Sequence, residues 1–181
     1  MQVHLALEVV ARDRRPEGAH AAAAYAAAAR ADYLALDRLD VAFTAKELRR
    51  RMSAPRHRDL VSLRRLCWYL LGAPREVYHF AWQDAGQSLR VYSDTDFAGC
   101  LVTRQSTCGG TLLHGKHFFQ HWSATQKTIA LSFGEAELYG VVKGASEALG
   151  MQSIAEDLGI SADVHIRTDS SAAIGICTRT G

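Results

Sequence analysis

Residues 89–99 read LRVYSDTDFAG, and the first six of them alternate in the way that a half-buried strand does. Alternation of this kind places successive side chains on opposite faces of a sheet. The stretch therefore predicts a β-strand that ends at Asp94 and carries that carboxylate at its carboxyl end.

The next apolar segment, GGTLLHGKHFFQHW, predicts a hairpin. Its strands would span residues 110–114 and 117–123. Gly115 and Lys116 would connect them, because glycine adopts the positive φ that a two-residue turn needs. The first three strands of the sheet would then be antiparallel neighbours.

A long helix and a further strand follow the hairpin. Ser132 and Glu135 match a capping box, which predicts a helix that continues until Gly159. The segment ADVHIRTD, residues 162–169, alternates as a strand, and the short helical piece SAAIGIC comes after it. This order predicts an α/β fold with three antiparallel strands, a crossover helix and a parallel strand. The helix carries apolar residues at helical spacing: Leu138, Val141, Val142, Ala145, Ala148 and Leu149.

Three carboxylates fall at informative points of this order: Asp94, Glu137 and Asp169. The crossover would place Asp94 and Asp169 at neighbouring strand ends, with Glu137 above them on the helix. Converging carboxylates repel one another unless a cation neutralises them, and oxygen ligands suit Mg²⁺ or Mn²⁺. Two such ions can cleave a phosphodiester by activating a water and stabilising the leaving oxygen. Taken singly, each acid has a structural explanation as a turn, cap or helix-dipole residue.

Five motifs between residues 89 and 175 resemble, in order, those of the ribonuclease H domain of copia-class retrotransposon Pol polyproteins. The matching segments are Tyr92–Gly99, YSDTDFAG against YSDADWAG; Thr103–Gly109, TRQSTCG against TRRSTSG; His121–Lys127, HWSATQK against ISWSSKKQ; Leu131–Tyr139, LSFGEAELY against LSSAEAEY; and Arg167–Ile174, RTDSSAAI against CDNQSAI. The resemblance implies a ribonuclease H-like fold and a metal-dependent endonuclease that hydrolyses the RNA strand of RNA–DNA hybrids.

The resemblance also implies a role for each acid. Asp94 would bind both of two Mg²⁺ or Mn²⁺ ions, Glu137 the hybrid-side ion, and Asp169 would bridge from the parallel strand. Glu135 lies about 200° from Glu137 round the helix and is assigned to the capping box. Asp96 is expected beyond the strand end, in a loop. The position of the glutamate between the two aspartates is that of type 1 ribonuclease H rather than of integrases.

Six further residues are candidates for contact with the phosphates or 2′-hydroxyls of a hybrid. They lie in the loop after the first strand and just before the long helix: Arg104, Ser106, Thr107, Ser123, Gln126 and Lys127. The alternative is that they are ordinary polar loop residues. His114, His117 and His121 suggest a zinc site only weakly, because zinc requires a fourth ligand or a water. Histidines on the surface of a strand are the preferred interpretation.

The upstream half predicts helices at 17–36, 37–52 and 57–71, from its alanine content and from apolar residues three and four apart. Residues 30–82 resemble the segment that connects reverse transcriptase to ribonuclease H, which would make the reverse transcriptase part of the same polyprotein a partner. The predicted organisation is therefore an Ala-rich segment 1–29, a helical connection 30–82 and a ribonuclease H-like domain 83–181.

The resemblance sets one expectation against activity. The family carries a fourth carboxylate, a fifth strand and a final helix, and no acid follows Asp169. The domain is therefore expected to be truncated, and the alternative function is an inactive remnant with at most weak nucleic-acid binding.

The net charge of +2 does not by itself indicate a nucleic-acid binder. Four scattered cysteines and the lack of a 20-residue apolar stretch predict a cytoplasmic or nuclear protein, neither secreted nor in a membrane.

Overall fold

A computed structural model describes residues 19–84 and 88–179, which divide into two compact units between Val77 and Tyr78. Residues 1–18, the larger part of the predicted segment 1–29, lie outside the described residues. The division falls a few residues before the predicted boundary at 82/83.

The first unit consists of three helices, as the sequence predicted: α1 (Ala19–Leu34), α2 (Leu39–Arg51) and α3 (His57–Gly72). Helix α1 runs without a break across the predicted boundary at 29/30. It packs through alanines at helical spacing, and small side chains allow the neighbouring helices to come close. The buried cluster comprises Ala24, Ala28, Ala31, Ala35, Val41, Ala45, Leu48, Met52, Leu63 and Leu66.

Arg38 ties the end of α3 to the start of α2. Its guanidinium donates to both carboxylate oxygens of Asp40 and to the Ala73 carbonyl oxygen, and the Tyr69 hydroxyl also donates to Asp40. The hydrogen bond from Arg38 holds the pKa of the Asp40 carboxyl well below its usual range. These contacts fix the chain that leaves the helical unit.

The second unit is a four-stranded mixed sheet: β1 (Leu89–Asp96), β2 (Thr107–His114), β3 (His117–Thr125) and β4 (Val164–Arg167). The strand order is β3-β2-β1-β4, with β1 antiparallel to β2 and parallel to β4. Helix α4 (Phe133–Asp157) connects β3 to β4, and α5 (Ser171–Cys177) follows. The predicted ribonuclease H-like architecture is confirmed.

The two faces of this sheet differ. Leu89 and Val91 point toward α4 and, with Leu112, Ala148 and Ala162, form the core. The alternate residues Tyr92 and Asp94 are exposed on the face away from α4, which is called the open face below.

Two glycines of α4 lie directly on β1. A Cβ added to Gly140 would stand 2.5 Å from the Thr95 Oγ1, and one added to Gly144 would stand 2.8 Å from Val91 Cγ1. The helix therefore packs through small residues, whereas Val142 and Leu149 of the predicted apolar stripe are more than half exposed. The predicted stripe was therefore right at Ala148, which is buried in the core, and wrong at Val142 and Leu149, because close approach to the sheet excludes large side chains.

The segment between the units forms neither helix nor strand in its described part, residues 73–84. Its aromatic residues pack on the hairpin: the Tyr78 ring stacks on Phe118 with centroids 5.1 Å apart, and Phe80 meets His117 edge-on. Gln83 donates to the His114 carbonyl oxygen. These contacts explain why the second unit begins at Tyr78.

Candidate active site

The parallel pair β1–β4 brings two acids together near the carboxyl ends of these strands. The last paired residues are Tyr92 and Arg167. Asp94 and Asp169 each lie two residues beyond that pair, so the same register places them opposite one another. Both are exposed. The two predicted aspartates are therefore neighbours, but β1 continues two residues past Asp94, where the sequence predicted its end, and β4 ends two residues before Asp169.

The third acid, Glu137, comes from the first turns of α4. It lies one turn before Gly140 on the helix face that meets β1, and only 1% of its surface is exposed. Its Oε2 has no hydrogen-bond partner. Burial raises the pKa of the Glu137 carboxyl, and the negative charges of Asp94 and Asp169 raise it further. The three predicted acids therefore interact electrostatically.

The backbone amide of Thr95 lies between two of these acids. It donates to the Asp94 Oδ1 at 2.8 Å. The same amide lowers the pKa of Glu137, an effect smaller than the raising effects of burial and of the two aspartates. The strand thus offers one donor to a pair of carboxylates, and this donor orients the Asp94 carboxylate.

The neighbouring acids take the following positions. Asp96 is the last residue of β1 rather than a loop residue, because it still pairs with Thr107 of β2. Glu135 caps α4: its amide donates to Ser132 Oγ, while its carboxylate accepts from the Leu131 amide. The predicted capping box is present in this form, with the return bond one residue earlier than expected.

The donor set suits a hard divalent cation in its chemistry. It consists of carboxylate oxygens, and one of them is buried without a partner, which is costly unless a cation or donor reaches it. Within residues 19–84 and 88–179, however, no three His, Cys, Asp or Glu side chains close into one ligand group. Asp94 and Asp169 are exposed side chains that can change rotamer, whereas Glu137 is fixed by its burial.

The six residues predicted to contact substrate divide into two groups. Arg104 and Lys127 are exposed, and Ser123 on β3 is half-buried. Ser106, Thr107 and Gln126 are buried. The Ser106 hydroxyl accepts from the Ala98 amide at 3.0 Å, so it fastens the loop between β1 and β2 instead of facing a ligand.

Gln126 has a positioning role that the sequence did not indicate. Its side-chain Nε2 donates to the Ala136 carbonyl oxygen at 2.8 Å, and its backbone amide donates to Ser106 at 2.8 Å. Ala136 directly precedes Glu137, so Gln126 fixes the turn of α4 that carries the acid. The repeat of small residues at 136, 140, 144 and 148 was the signal in the sequence that could have located this helix face.

The three histidines of the zinc hypothesis have separate neighbours, and the His114 ring meets Phe119 edge-on. His117 contacts Gln83 Nε2 and the Ala81 carbonyl oxygen, and His121 stacks on Phe118. The pairing of β3 with β2 shifts between Leu112 and Leu113, which interrupts the regular alternation of side chains between His117 and His121. None of the described residues forms a metal-binding group there.

The helices in the described ranges are all too short or too polar to cross a membrane. The four cysteines are free.

Comparison with known proteins shows a consistent set of relatives. The chain is 34% identical over 128 residues to the retrovirus-related Pol polyprotein from transposon RE1 of Arabidopsis thaliana, a match that covers 71% of this chain and 9% of the relative. It is 33% identical over 128 residues to the corresponding RE2 protein, again covering 9% of it. An uncharacterized mitochondrial protein of the same plant, AtMg00810, is 30% identical over 118 residues, 48% of its length.

The chain thus spans less than a tenth of the two polyproteins that it resembles. No protein-family model matches it, and no solved structure matches it.

Proposed function

This chain is homologous to a segment of the retrovirus-related Pol polyproteins of transposons, and we propose that its second unit is a metal-dependent endonuclease of the ribonuclease H type. Its substrate would be the RNA strand of an RNA–DNA hybrid. The observation that carries the proposal is the burial of Glu137 with an unpartnered oxygen, beside the charges of Asp94 and Asp169. A folded protein retains such repulsion where a cation or a reaction requires it.

Each acid has a distinct part in this proposal. Glu137 is the rigid ligand, since its surroundings fix it, and Asp94 and Asp169 would turn toward it to complete a site for Mg²⁺ or Mn²⁺. A pair of such ions would supply an activated water and stabilise the leaving oxygen. The hydrogen bond from the Thr95 amide would limit how far the Asp94 carboxylate turns. The glycine contacts of α4 would hold Glu137 at the strand end.

Substrate positioning falls to the exposed members of the predicted set. Arg104 and Lys127 follow β1 and β3, on loops that a Gln105–Lys127 hydrogen bond connects. Their charges suit the phosphate backbone of a hybrid. Discrimination of RNA from DNA requires contact with the 2′-hydroxyl, for which the half-buried Ser123 offers a hydroxyl of its own.

The test is hydrolysis of a labelled RNA–DNA hybrid by the purified chain, with Mg²⁺ and separately with Mn²⁺. Asp94→Asn removes one ligand, and Asp163→Asn is the matched control, because Asp163 is an exposed aspartate just before β4. Cleavage of the RNA strand by the wild type and by Asp163→Asn, but not by Asp94→Asn, is the expected result. A folded wild type that leaves the hybrid intact under both metals would refute the proposal.

One observation favours a second candidate, a hybrid-binding unit without catalysis. The carboxylates of the described residues do not form a closed ligand group in this conformation. In that case the protein binds the hybrid, and its affinity does not respond to Mg²⁺. Binding of Mg²⁺ to the free protein distinguishes the two candidates, and isothermal titration calorimetry measures it without any substrate.

A further inference from the structure

A groove of about 640 Å³ opens on the sheet at the end of β1 opposite to the carboxylates. Four of its lining residues are basic and none is acidic: Arg90, Lys116, His165 and Arg167. This set is called the basic groove. It includes no residue of the carboxylate site and none of the six residues predicted to contact substrate.

The strand register explains how these side chains come together. Arg90 pairs with His165, and Tyr92 pairs with Arg167, across the parallel β1–β4 ladder. Paired residues point to the same face, so these two pairs lie on the open face. Lys116 joins them from the turn between β2 and β3. The result is a row of three cations, Arg90, Lys116 and Arg167, with the His165 imidazole beside them, rather than a single point charge.

These charges are not neutralised within the described part of the chain. Its ion pairs involve none of the four residues. Arg90 donates to the Gly115 carbonyl oxygen, and the Arg167 guanidinium lies over the Tyr92 ring, 5.9 Å from its centre. Both contacts orient the cations and leave their charge available to an anion.

The row leads toward the carboxylates. Arg90 and Asp94 are four residues apart on β1, roughly 13 Å at the rise of an extended strand. Tyr92 lies between them with 41% of its surface exposed. The exposed ring therefore continues the surface from the cations to the carboxylates, and cations along such a surface can follow the phosphates of a nucleic acid strand.

From this geometry we propose that the basic groove binds the phosphate backbone of a nucleic acid strand and guides it over Tyr92 toward Asp94 and Asp169. The proposal rests on the proposed function for the nature of its ligand. A linear array of charges that continues to the candidate site fits a polymer better than it fits one small anion.

The experiment measures binding of a fluorescent RNA–DNA hybrid to the full chain without divalent metal, over a range of salt concentrations. The test variant is Lys116→Gln with Arg167→Gln, because both side chains are exposed. The control is Lys143→Gln, which removes a positive charge from α4 on the other side of the sheet. Circular dichroism verifies folding, and a Lys116→Arg, Arg167→Lys variant retains the charges.

The double variant is expected to bind the hybrid at least tenfold more weakly, with the slope of log affinity against log salt reduced by about two. The charge-retaining variant and Lys143→Gln should bind like the wild type. Unchanged affinity and slope in the double variant would overturn the groove assignment, even if the wild type cleaves the hybrid. Tight, selective competition by a nucleoside triphosphate would overturn it in favour of a small-anion site. If the wild type never cleaves the hybrid and the double variant loses binding, the groove assignment is upheld and only the nuclease proposal is refuted.

Discussion

Gly140 of α4 lies against Thr95 of β1 so closely that a Cβ on the glycine would stand 2.5 Å from the threonine Oγ1. Thr95 is β-branched and held in a strand, so the helix must move to admit an added methyl group. Gly140→Ala should therefore destabilise the protein by about 1–3 kcal/mol, the usual cost of overpacking. It should also lower hydrolysis, because Glu137 moves with the helix. Urea unfolding and the hybrid assay measure the two effects.

The matched control is Gly150→Ala in the same helix. Nothing lies within 4 Å of a Cβ at that position. Alanine is the better helix former, so this variant should gain up to about 1 kcal/mol and keep its activity. Equal stability changes in the two variants would contradict the close packing of α4 on β1.

Glu137→Gln should make the protein more stable at pH 7. The pKa of Glu137 is raised in the folded state by burial and by Asp94 and Asp169. The folded wild type therefore retains its proton at a pH where the unfolded chain has already lost it, and stability falls as pH rises through that window. The stability advantage of the variant should disappear below about pH 4, where the unfolded glutamate is itself protonated.

Thermal unfolding at pH 4 and pH 7 measures this difference, with the exposed Glu156→Gln as the control. Addition of Mg²⁺ should raise the melting temperature of the wild type and leave that of Glu137→Gln unchanged. A variant that is less stable than the wild type at pH 7 would show that the carboxylate is not under repulsion.

Asp169→Asn should abolish hydrolysis with little effect on folding. The side chain is exposed, so the free energy of unfolding should change by no more than about 0.5 kcal/mol. Activity should fall by about two orders of magnitude or more, as when one electrostatic group is removed from an active site. The comparison is again with Asp163→Asn. Retained activity in Asp169→Asn would remove this residue from the site.

Gln126→Met should separate positioning from stability. The variant keeps the side-chain length and loses the hydrogen bonds from Gln126 Nε2 to the Ala136 carbonyl oxygen and to Cys108 Sγ, at a cost of about 1–2 kcal/mol. Gln152→Met is the matched control, because Gln152 Nε2 donates to the Ala162 carbonyl oxygen at the same 2.8 Å near the far end of α4. The control should lose stability as well, though less, because it loses one hydrogen bond, and only Gln126→Met should lower the rate of hydrolysis. Equal rates would mean that Gln126 is merely structural.

Local chemistry in the sequence predicted much of the second unit. Gly115 has the positive φ that its turn requires, and Ser132 caps α4 as its position indicated. The alternation of 162–169 located β4, and the element order located the parallel pair. These features depend on neighbouring residues, which periodicity and turn chemistry report directly.

Features that depend on distant contacts were not predictable in the same way. Strand β2 begins at Thr107, earlier than predicted, because Gly109 and Gly110 pair across the sheet despite the poor strand propensity of glycine. At Gly110 the ring of Trp122 occupies the space of a side chain. The burial of Ser106 and Gln126 likewise arises from loops meeting across the sheet, and no local pattern encodes it.

The Thr95 amide donates to Asp94 and lowers the pKa of Glu137, so it makes the site observable by NMR spectroscopy. A proton hydrogen-bonded to a carboxylate resonates far from its random-coil position, and its resonance moves when the charge on that carboxylate changes. One nitrogen-15 label at Thr95 would therefore follow protonation of the acids in the intact chain. The same signal would register the arrival of a cation at a concentration too low to alter the fold.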